Sequence, residues 1–260
     1  MNMMIRTGLL AFGMLTMTGC VSSGGTDRDV ANVEASRYNT QAAAEYYRKG
    51  QVDVALEKIE KAIEQDDENA DAYMLYGMIL AASVEKEDLY KARDAYEEAL
   101  DLRPDDQTIR NNFATFLCDR GERQKAIGYF IEVANSRSYN RPEAAWTNAG
   151  TCASRIPDIE LAEEYLRKAL AINSNHPAAL WQMAQLMLEK EQPLLARAFL
   201  QRLEGMGQLP ASALWLGVRI ERALNDTAAA SRYTDILLRD YPESREAAKA
   251  METLKGGGDE

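Results

Sequence analysis

The sequence has little of what most chemistry needs. It contains one histidine and three cysteines in 260 residues. A lone His176 excludes the common multi-histidine metal sites, and three dispersed cysteines cannot build a four-cysteine zinc site. His176 stands beside Pro177 with no HExxH context and reads as a turn residue. Basic residues are in deficit, 30 Lys+Arg against 41 Asp+Glu for a net charge of −11. That balance argues against nucleic acid, whose phosphates need concentrated Lys and Arg. No apolar run reaches 18 residues, so an ordinary transmembrane helix is absent. There is no convincing strand alternation. There is also no Gly-x-Ser-x-Gly elbow, no phosphate-binding loop and no dinucleotide fingerprint. Acid pairs such as Asp66-Asp67, Glu97-Glu98 and Glu163-Glu164 fall on helices or turns and read as solvated faces. Neither an enzyme, a cofactor nor a small-molecule substrate has support in the sequence.

What is present begins with an address. Met1–Arg6 carries a single arginine, and Thr7–Met17 (TGLLAFGMLTM) is an apolar run too short to span a bilayer. It ends in Met17-Thr18-Gly19-Cys20, small residues before a cysteine. The segment resembles a bacterial lipoprotein signal over residues 1–19, with Cys20 as the lipidated first residue of the mature chain. An ordinary secretory signal ending beside a cysteine is the alternative. Acyl chains on Cys20 meet the threshold for stable anchoring. Val21, rather than Asp, follows Cys20, which in lipoproteins of this kind implies sorting to the outer membrane with the body facing the periplasm. Residues 20–35 are polar and Gly/Ser-rich at their start, and read as a flexible tether.

From about Ser36 the pattern is helical and repeats every 34 residues or so. Each unit carries Ala-x₃-[large apolar]-x₂-[Ala or aliphatic]: Ala55-Ile59-Ala62, Ala92-Tyr96-Ala99, Ala126-Phe130-Val133, Ala162-Leu166-Ala169, Ala196-Leu200-Leu203 and a degenerate Ala229-Tyr233-Ile236. Upstream stand the small residues Ala43, Gly77, Ala114, Gly150, Ala184 and Gly217, at position 8 of each unit. This is the tetratricopeptide (TPR) pattern, a helix–turn–helix of 34 residues. It predicts an all-α TPR superhelix of about six repeats over 36–69, 70–106, 107–142, 143–176, 177–210 and 210–243. The last unit overlaps its predecessor by one residue because its phase is blurred. The three extra residues of the second unit are expected to lengthen its turn at Ser83–Tyr90. A capping helix is expected over 244–254 and a disordered tail over 255–260.

In such an array positions 2, 5, 9 and 12 of each first helix face the concave side. That frame offers Tyr47, Met74, Met78, Asn111, Thr115, Thr147, Thr151, Trp181, Gln185 and Leu214 as candidate partner-binding residues. The alternative for each is packing against a neighbouring helix. Only three of the 24 groove positions are charged, Arg37, Asp71 and Glu221, which suits an apolar or weakly polar peptide anchored by Trp181. Cys118 and Cys152 lie in consecutive first helices, at positions 12 and 10. A disulfide there is geometrically feasible and suits an oxidising compartment; two buried thiols are the alternative.

Three stretches carry a more specific signal: Asn111–Cys118 (NNFATFLC), Asn148–Cys152 (NAGTC) and Leu214–Arg222 (LWLGVRIER). With the lipoprotein signal and six repeats, the chain resembles, over essentially its whole length, the PilW (PilF) family of type IV pilus biogenesis/stability lipoproteins. The resemblance implies a pilotin, an outer-membrane lipoprotein that binds the secretin subunit of the type IV pilus and promotes its localisation and multimerisation, and hence twitching motility. A TPR scaffold lipoprotein of another envelope complex, for outer-membrane protein assembly or cell-wall synthesis, is the competing reading.

Overall fold

A computed structural model describes residues 27–256; residues 1–26, which include Cys20, and 257–260 lie outside the described part. Thirteen helices and no strand fill the described residues. They pair as α1 (Asp27–Arg48) with α2 (Val52–Gln65), α3 (Ala70–Leu80) with α4 (Lys86–Leu102) and α5 (Gln107–Asp119) with α6 (Arg123–Asn135). Next come α7 (Pro142–Ala153) with α8 (Ile159–Ile172), α9 (Pro177–Glu189) with α10 (Pro193–Glu204) and α11 (Ala211–Ala223) with α12 (Thr227–Asp240). A single helix, α13 (Arg245–Gly256), follows. The architecture is the all-α TPR superhelix. No helix among the described residues is long and apolar enough to cross a membrane.

Local chemistry sets the helix starts. Asn69, Asp106, Asp158 and Asp226 each cap the helix that follows by accepting a backbone N–H, as in Asp106 Oδ1 to Thr108 N at 2.8 Å. His176 does the same for α9, its Nδ1 accepting from Ala179 N at 3.3 Å, with Pro177 in the first turn. Pro142 and Pro193 open α7 and α10 in the same manner.

The two helices of a repeat meet where their side chains are smallest. A Cβ added to Gly150 would lie 2.6 Å from Leu166 Cγ and 3.2 Å from the Ala162 carbonyl oxygen. One added to Gly77 would lie 3.0 Å from the Tyr96 ring and 3.2 Å from the Ala92 carbonyl. Position 8 therefore meets both the backbone of position 20 and the side chain of position 24, and the small residue lets that large side chain bury completely. Ile59, Tyr96, Phe130, Leu166 and Leu200 are all at most 2% exposed. Burying each such side chain contributes about 1.5–3 kcal/mol.

The same spacing bends the array. The first helix of every repeat comes within 8 Å, Cα to Cα, of the first helix of the next: α1 with α3, then α5, α7, α9 and α11 in turn. No two second helices approach that closely. First helices thus form a continuous inner layer and second helices a splayed outer one, so the inner layer is the concave side. At the end α13 packs on α11 and α12, where the first helix of a seventh repeat would stand.

Three expectations change. Helix α1 starts at Asp27, so 27–35 is helix rather than tether. Between Thr26 and Gly50 there is no Gly or Pro to stop a helix already held by its packing on α2, and Asp29 in its first turn suits the N-terminal dipole. The connection in the second repeat is longer than that in the first, 81–85 against 49–51, but α4 already begins at Lys86, so most of Ser83–Tyr90 belongs to that helix. Ser83 stabilises that start by donating to Asp88 at 2.6 Å and accepting from Glu85 N at 3.1 Å.

The sixth repeat is displaced by one residue. Gly50, Gly121, Glu191 and Asn225 all take positive φ in the turn between paired helices (74°, 91°, 55° and 59°). The first three occupy position 15 of their repeats, so Asn225 fixes the sixth as 211–244 and removes the overlap. Burial agrees: Ala230, Thr234 and Leu237 are buried, whereas Ala229 and Ile236 are only half-buried. Gly217 and Tyr233 imitate the position 8/24 pair, with a Cβ at Gly217 meeting the Tyr233 ring at 2.9 Å, but stand one residue earlier.

Gly150→Ala should lower stability by about 1–3 kcal/mol through overpacking, despite the better helix propensity of alanine. Gly128→Ala, in the exposed middle of α6 with nothing within 4 Å, should raise it by about 0.5–1 kcal/mol. Urea unfolding of the two variants checks both signs; a stabilising Gly150→Ala would contradict the contact.

Candidate partner-binding groove

The inner layer divides the sequence-derived candidates into two groups. Tyr47, Met74, Met78, Thr151, Trp181 and Gln185 are half-buried and Thr115 is exposed, so all seven reach the concave surface. Asn111, Thr147 and Leu214 do not: they are 8%, 3% and 2% exposed. Asn111 Oδ1 accepts from Asn148 Nδ2 at 3.2 Å, bridging α5 and α7. Thr147 donates to the Glu143 carbonyl at 2.7 Å and lies 3.3 Å from His176 Nδ1 at the head of the next repeat. These two position-5 side chains join neighbouring first helices instead of offering free polar groups.

Leu214 is buried because of the one-residue displacement. With the sixth repeat at 211–244, the concave positions are Ser212, Trp215, Arg219 and Arg222, not Ala211, Leu214, Val218 and Glu221. Ser212, Arg219 and Arg222 are exposed and Trp215 half-buried, whereas Leu214, Val218 and Glu221 are all buried. Glu221 instead accepts both a 3.0 Å bond from Arg197 Nε and a contact from its Nη2, and Asp226 takes a further bond at 3.1 Å. This cluster ties α10 to α11, and the paired carboxylates hold the Arg197 guanidinium above its ordinary pKa.

The groove is built from soft and neutral groups along most of its length. Asn112 donates to the thioether sulfurs of Met74 at 3.3 Å and Met78 at 3.8 Å, which sets both methionines against the neighbouring helix. Trp181 lines a cavity of about 460 Å³ with Pro177, Leu203, Met206, Leu209 and Pro210. Its Nε1–H is buried without a hydrogen-bond partner. Asp71 is paired with Arg103, so it presents no free charge. On the outer side, Lys190 bridges α9 to Glu160 and Glu163 of α8, and its bond to Glu163 holds that carboxyl below the usual range. Burial, then a bond to Glu204, pushes the Tyr233 hydroxyl up to about 12.

Cys118 and Cys152 are joined as a disulfide, with Cα atoms 5.9 Å apart, linking α5 to α7 at the middle of the inner layer. No group of three or more His, Cys, Asp or Glu side chains placed to hold a metal occurs among the described residues.

Comparison with known proteins matches this geometry. The tetratricopeptide-repeat family matches residues 40–107 and 143–176. The type IV pilus assembly protein PilF of Pseudomonas aeruginosa is 26% identical over 247 residues, 94% of this chain and 97% of PilF. The crystal structure of PilW, described as a widely conserved type IV pilus biogenesis factor, superposes with a TM-score of 0.72 at 29% identity, covering 83% of this chain and 98% of PilW. Over nearly its whole length the chain is similar to these type IV pilus biogenesis TPR proteins. The solved P. aeruginosa PilF, at 24% identity and a TM-score of 0.68, shares the fold over 86% of this chain. The chain is accordingly a non-enzymatic protein-interaction module, and its work lies in its surfaces.

Sequence reasoning missed Trp215, Arg219 and Arg222. The signal that locates them is the turn residue Asn225, which the Ala-x₃-large pattern does not use. Reducing the disulfide, which closes a loop with a sequence separation of 34, should cost about 2–4 kcal/mol. Unfolding midpoints with and without dithiothreitol check this; two cysteines alkylated without reductant would contradict the bond.

Proposed function

We propose that the chain is a pilotin, a lipoprotein anchored in the outer membrane through Cys20 that holds the secretin subunit of the type IV pilus on its concave face and promotes its multimerisation. The relationship to PilF and PilW supports a role in pilus assembly. The observation that carries the finer reading is the continuous inner layer of first helices, which offers one long, charge-poor surface on which a segment of another protein can lie. Such a layer has no chemistry of its own to perform, and holding a partner is what it can do.

The anchor is close to that surface. Only residues 21–26 separate Cys20 from the start of α1. At about 3.3–3.6 Å per residue, six residues span at most about 20 Å. An anchored Cys20 therefore keeps the first repeat near the bilayer and the remaining repeats reaching into the periplasm. A subunit captured there is held beside the membrane into which it must insert.

Cys20→Ala should move the protein from the membrane to the soluble periplasmic fraction and deplete the heat-stable secretin oligomer from the outer membrane, with loss of twitching. Full levels of that oligomer in a strain lacking the protein would contradict the pilotin reading.

A further inference from the structure

The far end of the groove differs from the rest. Leu188, the last concave residue of the fifth repeat, meets Trp215, Arg219 and Arg222 of α11 and Thr253 of α13 around an open cavity of about 420 Å³. Arg222 also borders a second cavity of about 310 Å³, reaching between α11, α12 and α13. Neither the Arg219 nor the Arg222 guanidinium has an ion-pair or hydrogen-bond partner among the described residues. Both are exposed, in a chain of net charge −11 whose other guanidinium groups often pair with its abundant carboxylates. Of the four charged concave positions in the corrected frame, Asp71 is neutralised by Arg103. The three left unpaired, Arg37, Arg219 and Arg222, are all positive, and two of them lie side by side.

We propose that this end of the groove binds a short peptide segment in which an apolar side chain is followed by two carboxylates. The apolar side chain packs on Trp215 and Leu188, and the carboxylates pair with Arg219 and Arg222. Three features set this chemistry. Trp215, Arg219 and Arg222 occupy positions 5, 9 and 12 of one helix, so they follow one another along one face with Trp215 and Arg222 about 10.5 Å apart in axial rise. An extended peptide places alternate side chains on one face at about 6.6 Å intervals, so residues i, i+2 and i+4 span a comparable length. Guanidinium groups recognise carboxylates through paired N–H donors, and the low charge of the rest of the groove leaves no competing acid there. The site rests on the reading that the concave face binds a partner, but not on which protein that partner is.

The test uses the full chain, ¹⁵N-labelled, with the synthetic peptide acetyl-Ala-Leu-Ala-Asp-Ala-Glu-Ala-amide. Its Leu, Asp and Glu stand at alternate positions. The indole N–H resonances of the three tryptophans are assigned by single Trp→Phe variants. The peptide should shift the Trp215 resonance and leave that of Trp146 in place. Affinity should fall at least tenfold for the Asn/Gln version of the peptide, and at least tenfold for the protein carrying Arg219→Gln and Arg222→Gln. Both substitutions are at exposed positions, and an unchanged unfolding midpoint would show that the variant is folded. No binding at millimolar peptide, or equal affinity for the Asn/Gln peptide, would overturn the site. So would binding only to phosphatidylglycerol vesicles, lost in the same double variant, which would make the patch a membrane contact. Failure of the wild-type protein to co-purify with secretin would overturn the pilotin reading and leave the peptide result intact.

Discussion

The close approach of two helix backbones inside each repeat is the constraint on which the molecule depends. At Gly150 there is no space for even a methyl group, because the branch point of Leu166 already occupies it, and at Gly77 the ring of Tyr96 would have to give way. A small residue at one site and a large one at the other form a single device, since the large side chain buries fully only because its partner has at most a methyl group. Repeated through five repeats and displaced by one residue in the sixth, this device fixes the angle within each helix pair. First helices then crowd together and second helices splay. The curvature of the array and the existence of an inner face both follow from that local fit.

Connections between repeats are of a different kind. Polar contacts join consecutive first helices, such as Asn148 to Asn111 and Thr147 beside His176, and one covalent link joins Cys118 to Cys152. Ion pairs such as Lys190 with Glu163 and Arg197 with Glu221 bind the outer helices to the next or preceding unit. Stacked repeats are stabilised by nearest-neighbour interfaces, so these contacts decide how stiffly the groove is held. The disulfide sits between the third and fourth repeats, where a hinge would most disturb a segment lying along the whole face.

Much of this was legible in the sequence because the intrarepeat fit is written in residue size at fixed spacing. Ala55-Ile59 and Ala162-Leu166 announce themselves without any structure. The sixth repeat was not legible in that way. Gly217 and Tyr233 have the sizes and the sixteen-residue separation of a position 8/24 pair, yet stand one residue out of phase. Backbone conformation at Asn225 gives the true phase, and size patterns do not record it. The displacement exchanges Leu214 for Trp215 and Glu221 for Arg222 on the groove, so a single residue of register alters its chemistry from apolar and acidic to aromatic and basic. Residues 27–35 misled for a simpler reason. Their composition resembles a linker, but a helix needs nothing further to continue once its C-terminal half is packed.

If partners lie along the first helices, as proposed, hydrogen–deuterium exchange on the protein alone and with purified secretin subunit will register it. Added protection should concentrate in α1, α3, α5, α7, α9 and α11, with α2, α4, α6 and α8 unchanged. Protection confined to the second helices, with the first helices exchanging as before, would rule out binding on the concave face.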